Sequence, residues 1–506
     1  MNKKLVTRVV CSLLLVIGFT MLTSVPVSWL MGDSSTVIFR LFTSSVLVIA
    51  FGGLGRYFAR GEIGTFGFRE GFGIVTFGWL FASILGAVPF VLVSYFCWYD
   101  AFFETMSGFS TTGASVIDNS LVLWTGAKLQ SGLNDIPRGL LYWRSMTHWL
   151  GGMGIIVLSL AVLPSLGTSA HQLFNAEVPG PTENQITPKI ASSAKILWAV
   201  YVLLTVMQTI MLWGGGMSLF DSWCTACGTL ATGGFSTQQA SIGAYNSVYF
   251  DCVIIFFMFL AGANFVLHYR FLQGKTLFHF KDEEFRFYLI ITVLAILTIT
   301  LFLVGTDIIT TQNIKFLDVG FWKSLRYAAF QVVSILTTTG FATADFDYWP
   351  GYCMLLLVCL MFVGGCGGST GGGMKNSRVL ILGKYAVSQV KSRIFVRSLP
   401  NIRLNKHRVS ELILNRTVSF FFIFVCAFVF FSLLLTCFGV DDIVTATSAS
   451  IAALGNIGPG LGKVGATMTY AWMTPPAKVA LSIEMLLGRL ELYTVLVILL
   501  PSFWKK

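Results

Sequence analysis

Hydrophobic residues along this chain gather into membrane-length blocks rather than the amphipathic stripes of a soluble protein. Apolar runs lie near Val9–Met31, Val37–Phe58, Phe72–Phe96, Trp143–Leu166, Ile196–Gly216, Val248–His268, Phe287–Val304, Tyr352–Val363, Val418–Phe438 and Val479–Leu500. A helix needs roughly 20 residues to cross a bilayer, so these runs predict ten spans, the eighth continuing into a glycine-rich stretch. The first two stand alone. The other eight pair around four short segments: Thr111-Thr112-Gly113-Ala114-Ser115, Thr232-Gly233-Gly234-Phe235-Ser236-Thr237, Thr337-Thr338-Thr339-Gly340-Phe341-Ala342-Thr343 and Gly455-Asn456-Ile457-Gly458-Pro459-Gly460. Anchored on Gly113, Gly234, Gly340 and Gly458, they recur at a roughly constant interval, so one unit is written four times. Each unit reads as membrane helix, re-entrant segment, membrane helix.

The predicted fold is an all-α polytopic membrane protein, with four pseudo-symmetric helix–pore-loop–helix repeats around one central pore plus two N-terminal transmembrane helices. The two helices fall within residues 1–68, and the repeats cover 69–170, 171–270, 271–385 and 386–506. A helix-compatible stretch too short to span precedes each repeated segment: Asp100–Phe109, Asp221–Leu230, Trp322–Leu336 and Asp442–Leu454. Asp100 and Asp221 stand at one common offset before their glycines, where an acid can cap a helix N-terminus. Tyr327 and Thr445 hold that offset in the other two repeats, so this capping is not uniform. Short helices aimed this way turn their negative C-terminal ends to the pore centre and favour a cation. Glu104 either adds negative potential at the outer mouth or is buried and hydrogen-bonded within its own repeat.

A selectivity filter turns backbone carbonyls inward to replace an ion's water shell, and glycine reaches the required positive φ at least cost. The expected ion-binding residues are Thr111, Thr112 and Gly113; Thr232, Gly233 and Gly234; Thr338, Thr339 and Gly340; Asn456, Ile457 and Gly458. No carboxylate lies within these segments, which disfavours calcium and points to a monovalent cation, potassium fitting best. Non-helical backbone at membrane depth is tolerated only where it lines water or is buried in protein.

After the third filter, Gly364, Gly365, Gly367, Gly368, Gly371, Gly372 and Gly373 fill seven of ten positions. A helix does not persist through such a run. A phosphate-binding loop needs Gly-Lys-Ser/Thr after a strand, whereas here Met374 separates Gly373 from Lys375 and Asn376 follows. The expected element is a flexible intramembrane loop beneath the filter, able to obstruct the path. Arg489 lies in the last apolar run, where an arginine costs about 2.5–3.5 kcal/mol on insertion scales. It either pairs with Glu484 or Glu491, or faces the pore, repels cations and donates to the loop's carbonyls and to the Ser369 and Thr370 hydroxyls.

Composition agrees with a bilayer protein: of 506 residues, 55% are hydrophobic and 11% charged, against about 25% charged in soluble proteins. The net charge of +11 would suggest nucleic acid in a soluble chain, but the positive residues sit between apolar runs and act as topology signals. Lys3, Lys4 and Arg8 before the first run mimic a signal peptide without a clear cleavage site, so that run is read as a retained helix. With a cytoplasmic N-terminus, the inside segments carry Arg56, Arg60 and Arg69, then Lys189 and Lys195, then Arg270, Lys275, Lys281 and Arg286, and last a basic loop from Met374 to Arg416. The filter segments then enter from outside. The basic loop suits anionic lipid or a docked partner. Ten cysteines, including the Cys224-x-x-Cys227 pair, read as packing residues, and His148 as a packing or hydrogen-bonding histidine. No acid/base pair or ligand set converges, which excludes an enzyme.

The motifs Ser110-Thr111-Thr112-Gly113-Ala114-Ser115, His148-Trp149-Leu150-Gly151-Gly152-Met153-Gly154, Thr338-Thr339-Gly340-Phe341, Gly364–Gly373, Leu454-Gly455-Asn456-Ile457-Gly458-Pro459-Gly460 and Gly488-Arg489-Leu490-Glu491 together resemble the Trk/Ktr/HKT superfamily of potassium transporters. Two extra N-terminal helices favour its TrkH branch over the shorter Ktr branch. The resemblance covers essentially the whole chain. It implies one filter glycine per repeat, a gating loop in the third repeat facing an arginine from the fourth, and a homodimer in the bacterial inner membrane. It also implies regulation by cytosolic nucleotide-binding subunits, called TrkA in that branch, with no organic cofactor in this chain itself. Some relatives carry sodium, and a serine at the first filter glycine is associated with that; Gly113 argues for potassium. A sodium-coupled or sodium-permeable transporter of the same fold is the alternative.

Overall fold

Polar residues at the edges of the apolar runs start the long helices by accepting from otherwise free N–H groups. Asn2 accepts from Leu5 N at 3.2 Å, Ser34 from Val37 N at 3.4 Å, Asp282 from Phe285 N at 2.9 Å and Ser410 from Ile413 N at 3.3 Å. In this computed structural model, residues 1–60, 67–154, 190–274, 278–394, 402–405 and 407–504 are described. The described residues are mostly helical. Among the described residues the strands are two short antiparallel hairpins, Ile308–Ile309 with Lys315–Phe316 and Arg403–Leu404 with His407–Arg408.

Two N-terminal helices, Lys3–Leu22 continued by Ser24–Leu30, and Ser35–Phe58, precede four units of one design. The first unit has Phe68–Gly86 continued by Val88–Ser94, a pore helix Trp98–Phe109 and a second helix Arg138–Gly152. The next has Ile190–Gly214, pore helix Leu219–Leu230, and Val248–Ala261 followed by Phe265–Leu272. In the third come Glu283–Leu303, pore helix Phe321–Leu336, and Gly351–Val363 followed by Asn376–Ile394. The fourth holds Glu411–Cys437, pore helix Ile443–Leu454, and Pro475–Arg489 followed by Tyr493–Leu499. All four pore helices end on the predicted residue.

Polarity is inverted relative to a soluble protein. Large apolar side chains such as Leu301, Leu355, Phe422 and Leu433 are exposed on the outside, where lipid tails cover them. Ser107, Thr225, Thr229, Ser334, Ser448 and Ser450 of the pore helices are buried inside. The chain is a multi-pass membrane protein.

Each second helix leans on the pore helix of the next unit. Lys478 Nζ pairs with Asp100 at 2.6 Å across units four and one, and Arg326 Nε with Asp251 at 2.6 Å across units three and two. The Arg138 guanidinium lies 5.6 Å from the Phe220 ring centre across units one and two. Units three and four close the circuit where Met361 packs on Gly455.

Three expectations are corrected. Not every predicted span is one helix: among the described residues six helical stretches are long and apolar enough to cross by themselves, and Val248–Ala261 with Phe265–Leu272 bends by 102°. The second helices break at glycine-rich or irregular points, namely Gly262-Ala263-Asn264, Gly364–Lys375 and Leu490–Leu492; the half of the Trp143–Leu166 run beyond Gly154 lies outside the described residues. Asp100 does not cap its helix, whose N-cap is Cys97, because its carboxylate is taken by Lys478. The Met374–Arg416 segment is not a loop throughout: Asn376–Ile394 is helical, its glycines having ended except for Gly383.

Candidate functional site: the filter ring and the loop beneath it

A helix that must stop at mid-membrane has to satisfy its last carbonyls without water, and all four pore helices do so alike. Thr111 N donates to Gly108 O at 3.1 Å and Thr112 N to Ser107 O at 2.9 Å. Thr232 N and Gly233 N reach Thr229 O and Gly228 O at 3.0 and 2.8 Å. Thr338 N and Thr339 N reach Ile335 O and Ser334 O at 3.1 and 2.8 Å, and Asn456 N and Ile457 N reach Ala453 O and Ala452 O at 3.1 and 2.8 Å. This paired 5→2 and 6→1 closure is the Schellman motif, which demands a left-handed residue just past the helix. That residue is Thr111, Thr232, Thr338 or Asn456, with φ of 57°, 55°, 60° and 54°. Left-handed threonine is sparsely populated, and such strain collects at functional sites.

Two residues on, Gly113, Gly234, Gly340 and Gly458 are left-handed again, with φ of 81°, 75°, 78° and 102°. Between the two left-handed positions the backbone turns a carbonyl toward the neighbouring unit. A Cβ on Gly113 would stand 2.0 Å from Gly233 O, one on Gly234 2.1 Å from Thr339 O, one on Gly340 2.0 Å from Ile457 O, and one on Gly458 2.7 Å from Thr112 O. Each glycine therefore faces the carbonyl of the next unit, and the fourth returns to the first. Four peptide oxygens of Thr112, Gly233, Thr339 and Ile457 share one closed ring. Such a ring is the donor set that can replace the hydration shell of a monovalent cation.

Cross-links hold the ring from outside. Gln239 Nε2 donates to Ile117 O at 3.2 Å, Gly243 N to Ala342 O at 3.1 Å, Gly462 N to Asp347 Oδ1 at 3.1 Å and Tyr470 N to Ser115 O at 2.9 Å, linking every unit to the next. Glu104 follows the second of its two readings and is fully buried: it accepts from Ser115 Oγ and Val116 N, both at 3.0 Å, and from Arg144 Nε at 2.6 Å. Arg144 also donates to Ser236 O at 2.9 Å, so this pair pins two filters together. His148 is a structural bridge: its Nε2 accepts from Phe235 N at 3.1 Å, which leaves Nδ1–H to donate to Gly108 O at 2.7 Å. Gly233 is glycine because this ring lies 2.6 Å from where its Cβ would stand. Outside the membrane helices, Asp442 caps the fourth pore helix, and its bonds from the Thr445 hydroxyl and N–H hold its carboxyl below the ordinary range.

Beneath the ring, Gly364–Lys375 is irregular, as predicted, and packs against the ends of the pore helices. Gly372 N donates to Thr338 Oγ1 at 2.8 Å and Thr370 Oγ1 to Leu230 O at 2.9 Å. A Cβ on Gly372 would meet Gly455 O at 2.3 Å, and one on Gly371 would meet Thr337 O at 2.9 Å. Gly364, Gly368 and Gly373 take φ of 75°, 74° and 72°; a Cβ on Gly365 would meet Ser369 Oγ at 2.9 Å. Gly367 N donates to Glu284 Oε1 at 2.6 Å.

Arg489 reaches this loop. Its Nη1 donates to Thr370 O at 2.7 Å, and its Nη2 to Gly151 O at 2.5 Å and Gly152 O at 3.0 Å. The carbonyl half of the expectation is met, and the hydroxyl half is not: Ser369 Oγ donates to Cys366 O at 2.6 Å, and Thr370 Oγ1 is turned to Leu230. Glu491 is engaged with Arg378 at 2.6 Å, and Glu484 accepts from Ser450 Oγ at 2.6 Å.

Sequence reasoning missed three participants. Lys375, read there as a topology charge, is buried, left-handed at φ 73°, and bonded through Nζ to Gly371 O. Asn376 Nδ2 donates to Gly364 O at 2.8 Å and closes the loop at its neck. Glu284 went unremarked altogether. A run of acids opening a membrane helix was the available signal.

Four pore helices, a closed carbonyl ring at their ends and a strap below it define a membrane pore protein of four covalently joined units. The TrkH family model, described as a cation transport protein, matches residues 37–506. The chain is 37% identical over 511 residues to the Trk system potassium uptake protein TrkH of Salmonella typhimurium and equally to that of Escherichia coli K12, with 100% of each chain covered. The crystal structure of the potassium transporter TrkH from Vibrio parahaemolyticus superposes with a TM-score of 0.85 at 33% identity, covering all of both chains. The chain belongs to the TrkH family. It is a transporter and not an enzyme.

Proposed function

We propose that this chain carries potassium into a bacterial cell across the inner membrane, through the ring formed by the carbonyls of Thr112, Gly233, Thr339 and Ile457. The relatives named above are potassium uptake proteins, and the ring is the observation that supports the same cargo here. Its donors are peptide oxygens with no carboxylate among them, the set suited to a monovalent cation. The flanking positions Thr111, Thr232, Thr338 and Asn456 shape the ring, and Gly113, Gly234, Gly340 and Gly458 leave room for it. Functional units follow the four repeats, with the second running through the helix Phe265–Leu272 and the third through Asn376–Ile394 rather than ending at 270 and 385.

Gly364–Gly373 and Arg489 form the gate. A strap almost without side chains fills the space under the ring at little steric cost, and Arg489 sets a positive charge on a cation path. The names of the relatives speak of a Trk system, which supports further components. The chain works as a homodimer, and a cytosolic nucleotide-binding subunit of the TrkA kind docks on its basic inner surface and releases the strap.

Flux into proteoliposomes tests the reading. Under imposed gradients, potassium and rubidium should enter and sodium should not. Equal sodium and potassium entry favours the sodium-permeable alternative, and no cation flux under any gradient, with the strap deleted, sinks the proposal.

A further inference from the structure

Three consecutive acids open the third unit's first helix, and each has a different partner. Asp282 Oδ2 accepts from Asn405 Nδ2 at 2.9 Å, while Asn405 Oδ1 accepts from Glu283 N at 2.8 Å. Glu283 pairs with Lys384, whose Nζ also donates to Arg403 O at 2.7 Å. Asn405 and Arg403 belong to the cytoplasmic hairpin Arg403–Arg408, and Lys384 to the helix Asn376–Ile394. Glu284 turns the other way. A single carboxylate oxygen, Oε1, accepts from Gly367 N at 2.6 Å and from Ser377 N at 2.9 Å, one near the start of the glycine-rich strap and one just past its end.

We propose that Glu284 is a positioning residue of the gate, a latch that holds both ends of the strap on one carboxyl oxygen and so keeps the strap seated under the ring. This rests on the reading of Gly364–Gly373 as the gate. No other side chain grips the strap by its amides at both ends among the described residues. The strap has no apolar side chains from Gly367 to Gly373 to anchor it by packing, so hydrogen bonds at its ends carry a large share of its placement. The same helix turn is tied to the hairpin through Asp282 and to the helix after the strap through Glu283. A pull on the hairpin therefore reaches the latch within one turn of helix.

The test uses the full chain reconstituted without any other protein, as parent, Glu284→Gln, Glu284→Ala and a Gly368–Gly372 deletion. Two readouts are taken. One is potassium flux; the other is the rate at which a water-soluble maleimide labels Cys366, which lies buried inside the strap and is followed site by site with mass spectrometry. Loss of the latch predicts that both rise in Glu284→Ala by roughly ten- to a hundredfold, the effect of losing two hydrogen bonds of ordinary net strength. Glu284→Gln keeps an acceptor oxygen and should rise less. The order of preference among potassium, rubidium and sodium should not change, because the ring is untouched. Parent-level flux and protected Cys366 in both Glu284 variants, beside raised flux in the deletion, would overturn the latch and leave the gate standing. If the deletion also conducts no faster than the parent, the gate reading itself has failed. Should Glu284→Ala not reconstitute, the Gln variant decides alone: unchanged flux and labelling overturn the proposal.

Discussion

Replacing Gly113 by serine is the sharpest perturbation of the ring, because two separate costs meet at that position. The backbone there has a φ of 81°, a conformation that costs a residue with a Cβ about 1–3 kcal/mol. The new Cβ would also stand 2.0 Å from Gly233 O, so that carbonyl has to retreat by roughly 1.5 Å to restore an ordinary contact. Gly233 O is one of the four ring oxygens, and its neighbours cannot follow: Gly234 and Gly340 are equally close to Thr339 O and Ile457 O. If the strain of about 1–3 kcal/mol appears as lost preference for potassium, the potassium-to-sodium flux ratio falls by roughly five- to 150-fold. The assay is paired potassium and sodium uptake into proteoliposomes carrying the strap deletion, so that gating does not mask selectivity. Gly126→Ala supplies the control: its φ is also 81°, but nothing lies within 4 Å of its Cβ. It should keep the parent's flux ratio. An unchanged ratio in Gly113→Ser at equal reconstituted protein would refute the assignment of this ring as the filter.

Other consequences follow from the same structure. Arg489→Ala, which removes donors to Thr370 O, Gly151 O and Gly152 O, should raise basal potassium flux without changing ion order; partner-free liposomes measure it, and parent-level flux would move the gate elsewhere. Lys478→Met leaves the buried Asp100 carboxylate unpaired, a loss of about 3–5 kcal/mol, visible as a lower thermal midpoint that a second change, Asp100→Asn, should largely restore. Neutralising Arg393, Arg397 and Arg403 should weaken co-purification of a cytosolic nucleotide-binding subunit at moderate salt more than it weakens membrane insertion; full retention would leave lipid contact as the role of that basic surface.

The fourfold design was legible because its signals are local. Membrane-length apolar runs, a filter glycine in each repeat and a helix-length stretch before each filter need no tertiary information, and Phe109, Leu230, Leu336 and Leu454 end the pore helices where the sequence places them. The glycine run from Gly364 was equally plain, since no regular helix survives it. What stayed hidden depends on contacts made only in the folded chain. Asp100 looks like a cap until Lys478, from the far end of the chain, takes its carboxylate. Thr111, Thr232 and Thr338 read as filter positions, and nothing local in the sequence shows that their left-handed backbone serves the Schellman closure of the pore helices. Lys375 looks like a topology charge because nothing nearby in sequence reveals that Gly371 O is folded over its Nζ. Glu284 and the strap are far apart in sequence and meet only in the folded protein.

The most direct test of the central claim is an anomalous-scattering map of crystals grown in rubidium. Rubidium should lie on the axis where the units meet, surrounded by the carbonyl oxygens of Thr112, Gly233, Thr339 and Ile457. Rubidium bound at another site in a protein that transports it, with no density inside that ring, would contradict the account.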